Sequence, residues 1–153
     1  MSLMNQSSKY PILSSPSNIG ELKLKNKMIM AAMGSNFAGA DGHTTEQLTA
    51  YYEARARGGV GLIVLETSAI TWPSGASMPF MIGFSKDEFI DDLKSFTDRM
   101  HQHGAKVAAQ LNHSGKIAQE DPVAGRPMLV PSKPKSEPSD MFGLLTQYEI
   151  INF

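Results

Sequence analysis

Three short stretches place small or polar residues just where an apolar run stops: Ala31-Ala32-Met33-Gly34, Glu66-Thr67 and Gln110-Leu111-Asn112-His113. Each follows a run that reads as a strand, and in parallel α/β sheets ligands bind beyond the carboxyl ends of the strands. The three stretches therefore converge on one place for binding chemistry.

Each piece also has a structural reading. Ala31 and Ala32 fit close strand packing. Gln110 lies in an otherwise apolar strand, where a buried amide costs about 1–3 kcal/mol unless paired, so it meets either neighbouring backbone or a ligand. Glu66 suits an internal ion pair as well as a ligand contact, and His113 suits a loop hydrogen bond as well as a ligand. Met28 and Met30 suit core filling, whereas Met33, at the end of its strand, is placed to border a ligand.

Other candidates carry less chemistry. His101 and His103 sit two apart near a helix C-terminus, where cations suit the dipole, and no third metal ligand accompanies them. Gly58-Gly59-Val60-Gly61 precedes a strand instead of following one, the wrong order for a dinucleotide fingerprint, and reads as a helix stop. The acidic residues Asp87, Glu88, Asp91 and Asp92 read as the solvated face of a helix.

The elements that position these residues alternate. A short piece, Leu22-Lys23-Leu24, has one wet face, and residues 27–33 (KMIMAAM) form a continuous apolar run that suits a strand covered on both faces. Thr44-Thr45-Glu46-Gln47 has capping-box spacing with Thr44 as the cap, and Leu48, Tyr51, Tyr52 and Arg55 continue at helical intervals until Gly58-Gly59. Residues 60–65 are a second buried-strand run. A loop of about eighteen residues follows, a length that is usually functional or mobile. Ser85-Lys86-Asp87-Glu88 reads as a second capping box, with Phe89, Leu93, Phe96 and Met100 on one stripe behind it and Gly104 as the stop. Residues 106–111 (KVAAQL) are the third strand run.

Strand, helix, strand, helix, strand implies an α/β class with parallel strands and crossover helices. After Lys116 the texture changes: residues 117–145 hold five of the nine prolines and read as an extended excursion with no buried element. Thr146-Gln147-Tyr148-Glu149 has capping-box spacing again and predicts the start of a helix, with seven residues left to run.

Composition narrows the function classes. Among 153 residues, 14 Lys+Arg against 15 Asp+Glu leave a net charge of -1, which gives no electrostatic reason to expect nucleic acid or an anionic membrane as partner. The absence of cysteine excludes a disulfide scaffold, a thiolate metal site and a cysteine nucleophile. Residues 1–10 lack a secretory pattern, and the plainer expectation is a cytoplasmic protein.

Three segments agree in order and spacing with one known family. They are Leu24-Lys25-Asn26-Lys27-Met28-Ile29-Met30-Ala31-Ala32-Met33, the run from Gly59 to Thr67, and Ala109-Gln110-Leu111-Asn112-His113-Ser114-Gly115-Lys116. Together they resemble the old yellow enzyme family of FMN-dependent NAD(P)H oxidoreductases, whose first strand reads roughly L-K-N-R-hydrophobic-M-A-P-M and whose third carries Q-L-x-H-x-G-[RK]. Pro131-Ser132 and the stretch from Leu145 to Ile150 follow the same pattern.

The resemblance implies an eight-stranded (β/α) TIM barrel with FMN across its C-terminal mouth. It also implies hydride transfer from NAD(P)H through the flavin to an enone or similar small-molecule acceptor. Carried over residue by residue, it implies that Ala31, Ala32, Met33 and Gly34 lie against the isoalloxazine, that Thr67 approaches it and that Gln110 hydrogen-bonds its pyrimidine edge. Ala32 stands where many relatives have Pro, Gly34 where many have Thr or Cys, and Lys116 where Arg is commoner. The family's substrate-binding His/His or His/Asn pair belongs to the next strand, beyond Phe153, so no catalytic residue is assigned.

On this reading residues 1–153 are the N-terminal part of one barrel domain, a leading hairpin plus about three βα units, inactive by itself. The alternative is a non-catalytic binding or assembly module, whose open sheet edge is covered by a partner or a second copy of the chain. A flavodoxin-like domain fits the element order but lacks a phosphate loop after the first strand.

Overall fold

A computed structural model describes residues 9–118, 121, 124–132 and 148–150. A single helical turn, α1 (Pro11–Ser14), leads into an antiparallel hairpin of β1 (Ser17–Ile19) and β2 (Leu22–Leu24), which pairs Ser17 with Leu24. Leu24 is the buried residue of the hairpin. The next two residues anchor the chain to the helical layer. The Asn26 carboxamide accepts from the Met28 N–H at 3.0 Å and donates to the Gly59 carbonyl at 2.7 Å. Lys25 Nζ donates to the His103 carbonyl at 2.6 Å, placing a cation at the carboxyl end of the later helix that closes at Gln102.

The sheet is built around β4 (Leu62–Ala69). On one side it pairs in parallel with β3 (Ile29–Met30), Ile29 opposite Leu62, and on the other with β6 (Lys106–Asn112), from Leu62 opposite Lys106 to Ala69 opposite Asn112. A two-residue strand, β5 (Ile82–Gly83), joins the carboxyl end of β4 through Ser68 and Ala69. The loop before it closes a small second core of Ala69, Ala76 and Met81 with Trp72 and Met78 packed on it.

Two helices cover one face: α2 (Glu46–Arg57) and α3 (Ile90–Gln102). Leu48, Tyr52 and Ala56 of α2 meet Phe96 and Met100 of α3 over Ile63 and Leu65 of β4. Gly58 caps α2, and Gly59 follows at φ +105, a conformation L side chains rarely adopt. Sequence spacing locates both helices and all three main strands, but not the bounds of the first two strands.

Several expectations need correction. The run 27–33 yields only a two-residue strand, because Asn26 takes the Met28 N–H and Ser35 is drawn to β4 by a hydrogen bond to Glu66. The cap of α2 is Thr45 and not Thr44: Thr45 Oγ1 accepts from the Leu48 N–H, while the Thr44 N–H and hydroxyl are both given to Asp92. Ser85 caps nothing; its hydroxyl accepts from the Trp72 N–H, and a 3-10 turn at Asp87–Phe89 intervenes before α3.

The cover expected on both faces of the first strand is incomplete: Ile29 is 50% exposed, although Leu62 opposite it is buried. The proline-rich stretch does contain buried residues, among them Ala118, Asp121, Met128 and Val130. Finally, β8 (Tyr148–Ile150) is a strand where a helix was expected, paired in parallel with β7 (Met128–Val130), whose backbone provides its partners. Thr146 lies outside the described residues.

Candidate functional site

Because β3, β4 and β6 are parallel, their carboxyl ends share one edge of the sheet, and the three stretches singled out by sequence all lie there. The register between β4 and β6 slips at that edge. Leu65 is opposite Ala109, but Thr67 is opposite Gln110, so Glu66 is an extra residue in a β-bulge. Side chains alternate along a strand, and a regular ladder would put Thr67 on the helix-facing side with Leu65. The bulge reverses that parity and turns Thr67 onto the face of Gln110, where its hydroxyl donates to Gln110 Oε1 at 2.8 Å. The carbonyl of Gln110 is thereby engaged, and its amide N–H groups have no partner among the described residues. Gln110 is exposed and not buried as its apolar strand suggested.

The bulge is held by side chains. The N–H of Glu66 donates to the Tyr52 hydroxyl at 3.1 Å, and its carbonyl accepts from Ser68 Oγ at 2.8 Å. The Glu66 carboxylate is fully buried. Its Oε2 accepts from the Tyr52 hydroxyl at 3.0 Å and from the Ser35 N–H at 2.9 Å, while Oε1 has no partner among the described residues. Among the described residues no cation forms the ion pair expected at Glu66; its partners there are uncharged donors. Burial, and then the neighbouring Glu66 carboxylate, push the Tyr52 phenol well above the usual tyrosine range, so it stays a hydroxyl donor at ordinary pH.

The Ser35 bond fixes the end of the stretch Ala31-Ala32-Met33-Gly34. Met33 is 57% exposed, and the N–H groups of Met33 and Gly34 make no hydrogen bond among the described residues. A Cβ added at Gly34 would stand 2.6 Å from Cε of Met78, so this methionine occupies the space of the missing side chain.

A second cluster ties the loops above the sheet. The ring of His113 accepts at Nδ1 from the Gly115 N–H at 3.1 Å, which leaves the proton on the buried Nε2, for which the described residues supply no partner. The ring lies against Gly75 (φ +76), where a Cβ would approach it to 2.7 Å. The Ser114 N–H donates to the Gly75 carbonyl at 2.9 Å. Beneath them the buried Asp121 carboxylate accepts from the Gly75 N–H (2.8 Å), Arg126 Nε (2.9 Å) and Ser74 Oγ (3.3 Å).

Asp92, expected on a solvated face, is instead a partner of the loop that enters α2. It accepts from His43 Nδ1 at 3.1 Å and from the Thr44 N–H at 2.9 Å. Burial works to raise its carboxyl, but these bonds outweigh that and hold it below its ordinary value. His103 pairs with Glu53 at 3.0 Å, and no group of three metal-ligating side chains occurs among the described residues.

Sequence reasoning therefore located the three stretches but missed Ser35, Tyr52, Ser68 and Asp121. Tyr52 carried a weak signal, a hydroxyl on the apolar stripe of a helix; the others carried none.

The chain is similar to known proteins in sequence and in fold. The profile of the NADH:flavin oxidoreductase / NADH oxidase family matches residues 13–151. An NADH oxidase of Thermoanaerobacter brockii is 32% identical over 143 residues, covering 94% of this chain and 22% of the relative. An NADPH dehydrogenase of Halalkalibacterium halodurans is 38% identical over 110 residues, 71% of this chain and 31% of the relative. Among solved structures, an old yellow enzyme homologue from Zymomonas mobilis superposes with a TM-score of 0.72 at 28% identity, covering 83% of this chain and 35% of that one. Morphinone reductase in complex with tetrahydroNAD does so with a TM-score of 0.72 at 27% identity, covering 84% and 34%. The chain thus spans a third or less of the curated relatives named here.

Proposed function

Because the chain belongs to the NADH:flavin oxidoreductase / NADH oxidase family, we propose that it forms the FMN-facing part of an oxidoreductase. The reaction would carry hydride from NAD(P)H to an activated alkene or similar small acceptor. Its three parallel strands would be one sector of a (β/α)8 barrel, residues 1–153 the N-terminal part of that domain, and residues 117–145 an excursion from it.

The observation that carries the reading is the bulge at Glu66, which brings Thr67 and Gln110 together at the edge where Met33 and Gly34 emerge. The donor set there fits a flavin. The amide N–H groups of Gln110 and the backbone N–H groups of Met33 and Gly34 lack partners among the described residues and suit the carbonyl and nitrogen edge of an isoalloxazine. Exposed Met33 supplies apolar surface for the ring. When bound, FMN supplies hydride chemistry that none of these side chains has. Thr67 fixes the rotamer of Gln110, and Ser35 with Glu66 fixes the backbone beyond Gly34, so the donors are preorganised.

FMN titrated into the purified protein, followed by flavin fluorescence and visible circular dichroism, tests this. Saturable binding with an induced signal that Gln110→Leu weakens supports the reading. No saturable binding, or binding indifferent to Gln110→Leu, refutes it.

A second reading, an assembly module that uses its uncovered sheet, is favoured by the exposure of β6, where Leu111 is 62% exposed. Sedimentation at low concentration separates the two: a compact monomer removes the need for a partner.

A further inference from the structure

Glu66 and Tyr52 stand behind every group assigned to the candidate cofactor edge without belonging to it. One bond from Glu66 reaches Ser35, one residue past Gly34. The same residue is the extra one in the bulge, and the bulge alone places Thr67 beside Gln110. Its backbone N–H, which a bulged residue cannot give to the neighbouring strand, is taken by the Tyr52 hydroxyl, and that hydroxyl returns its own proton to Glu66 Oε2. Tyr52 is fully buried in the core between α2 and the sheet, packed edge-on against Phe96. The pair therefore couples the seating of α2 to the loop after β3 and to the carboxyl end of β4.

Resting on the FMN reading above, we propose that Glu66 and Tyr52 are a positioning pair that sets the geometry of the cofactor-facing donors, by fixing the segment 31–35 and the parity of Thr67 at once. Neither residue touches the cofactor. A purely structural role would seat α2 and stabilise the fold without specifically governing those donors.

Three variants and one control separate the two roles. Tyr52→Phe removes the hydroxyl and keeps the ring, Glu66→Leu removes the acceptor, and Glu66→Gln restores an acceptor without the charge. Met100→Ala is a core control, a truncation that destabilises without touching the bulge.

In the flavin-free protein, amide exchange at Ser35 is expected to rise about tenfold in Tyr52→Phe and more in Glu66→Leu. The side-chain amide resonances of Gln110 should shift with it. Glu66→Gln should recover most of both, and Met100→Ala should leave both near wild type at an equal loss of melting temperature. In the FMN-loaded protein the same ranking is expected in the dissociation constant, about tenfold weaker for Tyr52→Phe, and in the induced circular dichroism.

If Ser35 exchange and the Gln110 resonances respond no more to Tyr52→Phe than to Met100→Ala, the positioning role is overturned. Should Glu66→Leu fail to fold, Tyr52→Phe decides alone. Absence of FMN binding by the wild type would refute the cofactor reading, while the flavin-free exchange and resonances still decide whether the pair sets these donors.

Discussion

Replacing Asp121 by alanine tests whether the loops above the sheet are held by one carboxylate. Asp121 is fully buried, and its oxygens receive the Gly75 N–H at 2.8 Å, Arg126 Nε at 2.9 Å and Ser74 Oγ at 3.3 Å. The three donors differ in what they lose. Gly75 is buried, so its N–H would be stranded, at about 1–3 kcal/mol. Arg126 is 35% exposed and returns to water, so its ion pair is discounted. Ser74 is half-buried, its bond is the longest of the three, and it adds little.

The charge-assisted bonds lost with the carboxylate bring the total for Asp121→Ala to about 3–4 kcal/mol. Asp121→Asn keeps an acceptor for Gly75 and loses the charge, and should cost about 1–2 kcal/mol. Urea denaturation gives the global values. Amide exchange at Gly75 and Ser114 detects the loops opening below the global transition. The hub is refuted if Asp121→Ala costs under about 1 kcal/mol, or if it leaves amide exchange at Gly75 and Ser114 unchanged.

Two further predictions concern packing and pH. Gly34→Ala should be within about 1 kcal/mol of wild type, because among the described residues it meets just the flexible end of Met78, Cε at 2.6 Å and Sδ at 3.5 Å; Gly61→Ala should cost more than about 2 kcal/mol, because its Cβ would stand 2.9 Å from the Asn26 backbone carbonyl and 2.6 Å from its anchored carboxamide. Paired melting curves check the contrast, and equal costs would contradict it. Hydrogen bonds from His103 and then Arg99 hold the Glu53 carboxyl below its ordinary 4.5, as Thr44 and His43 hold Asp92 below its ordinary 3.8. A carboxyl depressed in the folded state adds stability that is fully present above its unfolded value and is lost as pH falls through the folded one. Melting temperature should therefore fall on acidification below about pH 4.5, less steeply in Glu53→Gln and Asp92→Asn, with added salt reducing the Glu53 share more than that of Asp92, whose main bond is to backbone. An acid limb unchanged by both substitutions would contradict this.

What the sequence reveals and what it hides follow from one distinction, between patterns local in the chain and partners distant in it. The strands at 62–65 and 106–111 are visible because parallel strands read as continuous apolar runs, even though β6 is largely exposed, and the helices because Leu48–Tyr52 and Phe89–Phe96–Met100 repeat at helical spacing. The polar residues Glu66, Thr67 and Ser68 look like the end of a strand, yet β4 runs on through them to Ala69. It can do so because Tyr52, fourteen residues earlier, and Ser68 satisfy the backbone of the bulged residue. No local pattern announces that, and without it the parity of Thr67 cannot be derived. Adjacent threonines pose the same problem at α2: both can cap, and Asp92, forty-eight residues on, decides by taking Thr44. Gln110 fails in the other direction. Its apolar neighbours imply burial, but it is exposed among the described residues. Family resemblance identified the residues of the candidate site without these partners, whereas the physical reason that Thr67 and Gln110 meet lies in a bulge whose determinants are neither residue.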